Sequence, residues 1–131
     1  MDSSLTEFVN EWLSIAEDDL RWAKASFEDG FYSRVCFVCQ QVAEKALKAY
    51  LYGNKLQQKT HSLLRLMEAC AQKEPRFREL KNDLVVLDPY YIGTRYPDIG
   101  DIERFEKKEL AQEALTAAEK ISRFVKNEII S

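Results

Sequence analysis

Residues 35–52 have the sequence VCFVCQQVAEKALKAYLY, and this stretch decides the fold class. Its apolar residues recur at steps of three and four, at Val35, Val38, Val42, Ala46 and Tyr50. This spacing is the period of an α-helix, in which such positions share one face. The sequence therefore predicts a long helix over Phe31–Tyr52.

Four further segments, before and after this stretch, have the same helical period. The five predicted helices are Ser4–Asp29, Phe31–Tyr52, Ser62–Lys73, Arg76–Leu87 and Glu106–Ile129. Only 4 Gly and 3 Pro occur in 131 residues, too few for the many turns of an all-β protein. We therefore predict one all-α domain over residues 1–131, an antiparallel up-and-down helical bundle with a four-helix-bundle-like core.

Charge, hydropathy and cysteine content exclude several classes of protein. The formal net charge is −3, which argues against a long nucleic-acid footprint, because such binding depends on an excess of Lys and Arg. The sequence shows neither an apolar run of the ~18 residues that cross a membrane nor a secretory signal. We interpret Cys36, Cys39 and Cys70 as buried, reduced thiols of a cytoplasmic protein. No metal site and no cofactor is expected.

His61, in the polar loop after the second predicted helix, is the only imidazole in the chain. An imidazole changes its charge close to neutral pH, so His61 is the candidate general acid or base. The alternative is that His61 only packs at the start of the third helix, where Thr60 or Ser62 acts as the N-cap.

Arg95 lies in the sequence GTRYPD, residues 93–98, which has no helical period. A guanidinium binds phosphate or carboxylate through two parallel hydrogen bonds, and neighbouring tyrosines can stack on a base. The alternative is a structural loop in which Arg95 pairs with Asp98 or with the C-terminus of a helix. In an up-and-down bundle, the loops after the second and fourth helices lie at the same end, which predicts that His61 and Arg95 are close.

The second predicted helix also has a polar stripe. Its members are Arg34, Gln41, Glu44, Lys45 and Lys48. We interpret this stripe as a solvated face, in which Glu44 and Lys48 form a stabilising pair four residues apart. The alternative is that the adjacent glutamines at 40 and 41 line a contact between helices.

Five motifs occur in a recognisable order along nearly the whole chain. They are Trp12 with AEDDL at 16–20, CQQVAEKALKAYL at 39–51, KTHSL at 59–63, TRYPD at 94–98 and AAEKI at 117–121. Together they resemble the HEPN domain family (higher eukaryotes and prokaryotes nucleotide-binding). The resemblance implies a bundle of about five helices that forms a homodimer. It also implies a possible partner, a minimal nucleotidyltransferase, in an arrangement similar to a toxin–antitoxin pair.

Many HEPN domains are metal-independent endoribonucleases in which an Arg is followed a few residues later by a His. This chain departs from that pattern, because no His follows Arg95 and His61 precedes it by 34 residues. We therefore expect a nucleotide- or nucleic-acid-binding module. The alternatives are a ribonuclease with Arg95 and His61 as catalytic residues, and a structural assembly domain. The candidate ligand-binding residues are Lys45, Lys48, Lys59, Thr60, His61, Arg95, Tyr96 and Asp98.

Overall fold

The computed structural model describes residues 3–91 and 104–130. The α-helices are α1 (Ser3–Glu28), α2 (Tyr32–Gly53), α3 (Leu63–Lys73), α4 (Lys81–Leu87) and α5 (Lys108–Ile130). Two short 3-10 helices, Pro75–Leu80 and Asp88–Tyr90, flank α4, and these ranges contain no strand. The predicted all-α helical bundle is confirmed.

Helix α2 is the centre of the bundle. It packs mainly against α1 on one side and α5 on the other, and α3 covers part of it. Fourteen of its 22 residues are buried, which is more than the single apolar face of a surface helix provides. Polar residues of α2 are therefore enclosed along with the apolar ones, and Gln40 and Glu44 are buried.

The turn between α1 and α2 lies at Gly30, the position between the first two predicted helices. Gly30 has a φ of +83°, a left-handed conformation that a residue without Cβ adopts without strain. The amide of Phe31 then donates to the carbonyl of Ser26 at 2.9 Å. The chain reverses within three residues, so α1 and α2 pack side by side.

The fourth predicted helix, Arg76–Leu87, is wrong as one regular α-helix. Residues Pro75–Leu80 form a 3-10 helix, and the α-helical hydrogen bonding begins at Lys81. Pro75 starts the segment, and the carboxylate of Glu74 accepts a hydrogen bond from the amide of Arg76 at 3.3 Å. The predicted apolar residues of this segment do face the core. Phe77, Leu80, Leu84 and Leu87 are all buried.

The last predicted helix begins two residues later than expected, because Glu106 caps a different helix. Its carboxylate accepts hydrogen bonds from the amide of Tyr32 at 2.6 Å, the amide of Ser33 at 3.3 Å and the Ser33 hydroxyl at 2.6 Å. Phe31, the residue before α2, makes no capping bond of its own. Glu106 therefore satisfies amides that the N-terminus of α2 leaves unpaired.

The cysteines are free and buried, as their position in an apolar helical segment predicts. Burial raises the pKa of Cys36 to about 11 and that of Cys70 to about 12. The pKa of Cys39 is raised as well, first by burial and then by the neighbouring thiol of Cys36. These groups are protonated thiols at neutral pH. None of the described helices is long and apolar enough to cross a membrane.

Replacing Glu106 by Gln should destabilise the fold by about 1 kcal/mol at neutral pH, because the charged cap of α2 is lost. The bond from the Ser33 hydroxyl, with those from the two amides, lowers the pKa of Glu106. The stabilisation is therefore complete above the pKa of an unfolded Glu and is lost as the pH falls through the lower folded pKa.

Urea unfolding at several pH values measures this difference. Glu113→Gln is the matched control, because Glu113 is an exposed carboxylate on α5 and its removal should cost less than about 0.5 kcal/mol. Equal costs for the two substitutions would show that Glu106 does not act as a cap.

Candidate functional site

The carboxylate of Glu44, in the middle of α2, is the centre of a polar cluster. Gln40 Nε2 donates to Glu44 Oε1 at 3.2 Å, and Lys48 Nζ donates to Oε2 at 3.0 Å. These donors are four residues before and four residues after Glu44, so they lie on the same helix face. Gln41 Nε2 donates to Gln40 Oε1 at 2.6 Å and completes the chain of bonds. The helix itself thus supplies most of the partners that a buried carboxylate requires.

The partners of Glu44 keep it ionised although it is buried. Burial alone would raise the pKa of Glu44, but the hydrogen bonds from Lys48, His61 and Gln40 outweigh it and lower the pKa. Glu44 is therefore a carboxylate at neutral pH, with a negative charge inside the bundle.

Among the described residues, His61 supplies the partner of Glu44 that comes from outside α2. Its Nδ1 is 3.0 Å from Glu44 Oε2. An ionised carboxylate only accepts hydrogen bonds, so we assign the proton to Nδ1. In the neutral ring, Nε2 then has the free lone pair, and the His61 side chain is 46% exposed. A carboxylate that orients an imidazole in this way is a common feature of general acid–base and ligand-binding histidines.

Hydrogen bonds of the residues next to His61 fix the loop that contains it. Ser62 is the N-cap of α3 and accepts from the amide of Arg65 at 3.3 Å. Thr60 Oγ1 accepts from the amide of Ser62 at 3.0 Å, and Asp88 Oδ1 accepts from the amide of Leu63 at 2.9 Å. The predicted cap at the start of the third helix is therefore present, and it is Ser62. These bonds hold the backbone next to His61, while the His61 ring contacts Glu44 of α2.

Tyr91 completes the surface around His61. The two rings are stacked, with centroids 4.6 Å apart and planes 13° from parallel. Tyr91 follows the 3-10 helix Asp88–Tyr90, so the loop after α2 and the end of the α4 region meet at this point. Arg95, Tyr96 and Asp98 lie outside the described residues, so the predicted proximity of Arg95 and His61 stays a prediction.

The structure separates the two candidate lysines of α2. Lys48 belongs to the Glu44 cluster, but its side chain is mostly buried. Lys45 Nζ instead binds Asp19 Oδ2 of α1 at 2.5 Å. Lys59 is exposed in the loop before His61. Among the predicted ligand-binding residues that the structure describes, Lys59 and His61 reach solvent, whereas Lys45 and Lys48 pair with carboxylates.

The prediction that the polar stripe of α2 is a solvated face is wrong for Glu44, because Glu44 is buried. Glu44 is also not among the site residues that the sequence predicts. The stripe was interpreted from its polarity, but α2 is enclosed on nearly all sides, so a polar position on it is not an exposed one. The sequence feature that indicates this burial is the spacing of Gln40, Glu44 and Lys48 within a run of Val, Ala and Leu. A charge in such a run needs its own partners.

No three His, Cys, Asp or Glu side chains in the described part of the chain are grouped as metal ligands would be. A depression of about 740 Å³ is lined by polar residues of α1 between Ser3 and Ser14. It lies on one helix, away from His61. The groups around His61 that the structure describes are its oriented imidazole, the stacked ring of Tyr91 and, two residues earlier in the chain, the exposed Lys59.

Comparison with known proteins shows one family. The HEPN domain model matches residues 9–128. The crystal structure of TT1696 from Thermus thermophilus is similar with a TM-score of 0.81 and 37% identity, covering 91% of this chain and 96% of that one. The crystal structure of ST0689, an archaeal HEPN homologue, has a TM-score of 0.76 and 30% identity, with 92% and 97% coverage. Curated proteins gave no significant match.

Replacing Glu44 by Gln should destabilise the protein by about 2 kcal/mol at neutral pH, because Lys48 and His61 lose a charged acceptor. Since the pKa of Glu44 is lowered in the fold, this stabilisation is present above the unfolded pKa of about 4.3. It is lost as the pH falls through the folded pKa.

Chemical unfolding between neutral and acidic pH tests this expectation. Glu68→Gln is the control, because Glu68 pairs with Arg78 on the surface, and such exposed pairs contribute little to stability. A pH-independent cost of Glu44→Gln would contradict an ionised Glu44.

Proposed function

The chain belongs to the HEPN domain family, and on this premise we propose that it is a dimeric module that binds a nucleotide or a short RNA around His61. The observation that carries the proposal is the oriented imidazole. Glu44 fixes Nδ1 at 3.0 Å while the ring remains 46% exposed. The fold uses one nitrogen of His61 and leaves Nε2 for an external partner.

The groups of the His61 surface suit a nucleotide. In the charged form of the His61 ring, which carries a proton on each nitrogen, Nε2–H donates to a phosphate oxygen. The exposed Lys59 adds a second positive charge, and Tyr91 adds an aromatic edge to the surface. The N-terminus of α3 is not part of this site, because Ser62 and Asp88 already accept from its amides.

The net charge of −3 limits the length of nucleic acid that the protein can bind. Binding along an extended nucleic acid needs many Lys and Arg contacts to phosphates. Lys45 and Lys48 already neutralise Asp19 and Glu44. We therefore propose a ligand with one or a few phosphates.

We propose Arg95 as a further phosphate-binding residue, because the motif TRYPD at 94–98 is part of the resemblance to the HEPN family. It follows Tyr91 by four residues, so covalent geometry limits the separation of their Cα atoms to about 14 Å. Tyr91 contacts His61, so this limit favours a joint role for Arg95 and His61. Tyr96 and Asp98 remain candidates on the same basis.

A second candidate function is metal-independent cleavage of RNA, which the Glu44–His61 pair favours. With the proton on Nδ1, Nε2 can remove the proton of a ribose 2′-hydroxyl, whose oxygen then attacks the adjacent phosphorus. The bond to the 5′-oxygen breaks, and that oxygen takes up a proton from water. Arg95 would stabilise the charge on the phosphate. The absence of a His after Arg95 makes this the second candidate.

The proposed partners follow from the family as well. We propose a homodimer that associates with a minimal nucleotidyltransferase in a toxin–antitoxin-like pair. The buried, free thiols of Cys36, Cys39 and Cys70 support a reducing compartment such as the cytoplasm. Co-expression with a nucleotidyltransferase encoded beside the gene, followed by size-exclusion chromatography, tests the association.

Calorimetric titration with nucleotides and short RNAs should show binding that His61→Ala and Arg95→Ala each weaken at least fivefold, or about 1 kcal/mol. The weakening follows from the loss of a donor to phosphate. Lys73→Ala is the control, because this exposed lysine lies at the opposite end of α3. Binding that is absent, or equally affected by Lys73→Ala, would contradict the proposed site.

Incubation of the purified protein with RNA and EDTA separates the two candidate functions. A binding module leaves the RNA intact. Cleavage that yields a 2′,3′-cyclic phosphate and is abolished by both His61→Ala and Arg95→Ala would instead establish the ribonuclease. In that case Glu44→Gln should lower the rate and change its pH dependence, because Nδ1 loses its charged acceptor.

A further inference from the structure

Two exposed aromatic rings lie next to each other where α1 meets α2. Trp22 of α1 is 53% exposed, and Phe31, the residue before α2, is 60% exposed. Together with Ser26 and Arg34 they line a shallow cavity of about 480 Å³. We call these four residues the Trp22 cavity. Exposed rings that are grouped around a cavity, rather than scattered singly over the surface, indicate a binding site.

The turn between α1 and α2 fixes the walls of the Trp22 cavity. Trp22 and Ser26 are four residues apart on α1, so they share a helix face. The amide of Phe31 donates to the carbonyl of Ser26 at 2.9 Å, which holds the residue before α2 against α1. Arg34 follows in the first turn of α2, and its guanidinium is 5.6 Å from the Trp22 ring. The four side chains are therefore positioned before any ligand binds, which lowers the cost of binding.

The guanidinium of Arg34 is the charged group of the Trp22 cavity, and none of the described carboxylates forms an ion pair with it. Asp18 and Asp19 of α1 are instead paired with Arg21 and Lys45. The carboxylate that caps the start of α2 uses both of its oxygens for bonds to α2 itself. The first turn of a helix also has a partial positive charge, so an arginine there is stabilised by an anion.

Ser26 supplies a hydroxyl to the Trp22 cavity. The residue is only 6% exposed and lines the cavity, yet its hydroxyl makes no hydrogen bond to any other described residue. A polar side chain that is buried to this extent normally has a partner. Since every described side-chain oxygen that is sealed from solvent has one, the hydroxyl of Ser26 opens to the cavity, where an atom of a ligand can reach it.

We propose that the Trp22 cavity binds an aromatic ring that carries a single carboxylate. The rings of Trp22 and Phe31 contact the aromatic ring of the ligand. Arg34 donates to the carboxylate through two N–H groups, and the hydroxyl of Ser26 donates to it as well.

The charge of the Trp22 cavity favours a carboxylate over a phosphate. The cavity offers one cation, and a carboxylate has one negative charge, whereas a phosphate monoester has roughly 1.5 to 2 at neutral pH. An aromatic ring with one carboxylate occurs in a free aromatic acid and at the C-terminus of a protein chain that ends in an aromatic residue. Both sources present the same chemical groups to the cavity.

The Trp22 cavity is a second site and goes beyond the proposed function. Arg34 precedes Glu44 by ten residues on α2, a rise of about 15 Å along the helix. The cavity and the surface around His61 therefore lie at different levels of the bundle, and each can be altered without the other.

Titration with phenylacetate, followed by ¹H–¹⁵N NMR, tests the proposal. The chain has two tryptophans and therefore two indole N–H signals, and Trp22→Phe identifies that of Trp22. This signal should move on addition of phenylacetate, whereas that of Trp12, which packs against Tyr52, should stay.

Arg34→Gln should weaken the binding of phenylacetate about tenfold, because the carboxylate loses its two N–H donors. Arg65→Gln is the matched control, because it removes an exposed arginine of α3 and should leave the affinity unchanged. Phenylacetamide, which has the same ring but no charge, should bind about tenfold more weakly than the acid. Circular dichroism verifies that both variants are folded.

A Trp22 signal that does not move with millimolar phenylacetate overturns the proposal, and so does equal binding of the acid and the amide. A peptide with a C-terminal phenylalanine separates the two sources of the ligand. Binding tighter than that of phenylacetate supports a protein C-terminus, and weaker binding supports a free acid.

His61→Ala distinguishes the Trp22 cavity from the proposed nucleotide site. It should leave the titration with phenylacetate unchanged, whether or not nucleotides bind. Movement of the Trp22 signal by AMP, abolished by His61→Ala, would show that the cavity is part of the His61 site and would overturn a separate carboxylate site.

Discussion

The buried carboxylate of Glu44 is the interaction on which the other parts of this structure depend. An ionised group inside a helical bundle is costly unless every oxygen has a donor. Gln40 and Lys48 supply donors from α2 itself, and His61 supplies the remaining one from the next loop. The need to pair the charge of Glu44 therefore fixes the position of the loop after α2, the tautomer of His61 and the direction of its Nε2.

A second carboxylate acts in a similar way at the start of α2. Glu106 accepts from the amides of Tyr32 and Ser33, while the neighbouring Phe105 packs edge-on against Phe37 and Tyr90. Because Tyr91 stacks on His61, the residues on both sides of the segment 92–103 are attached to the α2 region. The central helix therefore organises both the bundle and the surface around His61.

The sequence predicted those features that depend on local periodicity. The apolar spacing in 35–52 was sufficient for α2, and the sequence narrowed the N-cap of α3 to Thr60 or Ser62, of which the structure shows Ser62. It did not predict the cap by Glu106, because that contact joins residues more than 70 positions apart. Nor did it predict the burial of Glu44, since whether a polar face is enclosed depends on how many neighbours a helix has. Lys45 and Lys48 are candidate ligand-binding residues through the family resemblance. The pairing of Lys48 with Glu44 follows from their spacing, whereas the pairing of Lys45 with Asp19 joins two helices and is visible only in three dimensions.

The central claim is that Glu44 holds the proton of His61 on Nδ1 and leaves Nε2 for an external ligand. His61 is the only histidine, so its side-chain nitrogens can be observed without overlap in a long-range ¹H–¹⁵N spectrum. At about pH 9, where an imidazole is neutral, the account predicts a proton on Nδ1 in the wild type and a redistribution of tautomers in Glu44→Gln. A proton on Nε2 in the wild type, unchanged by that substitution, would contradict it.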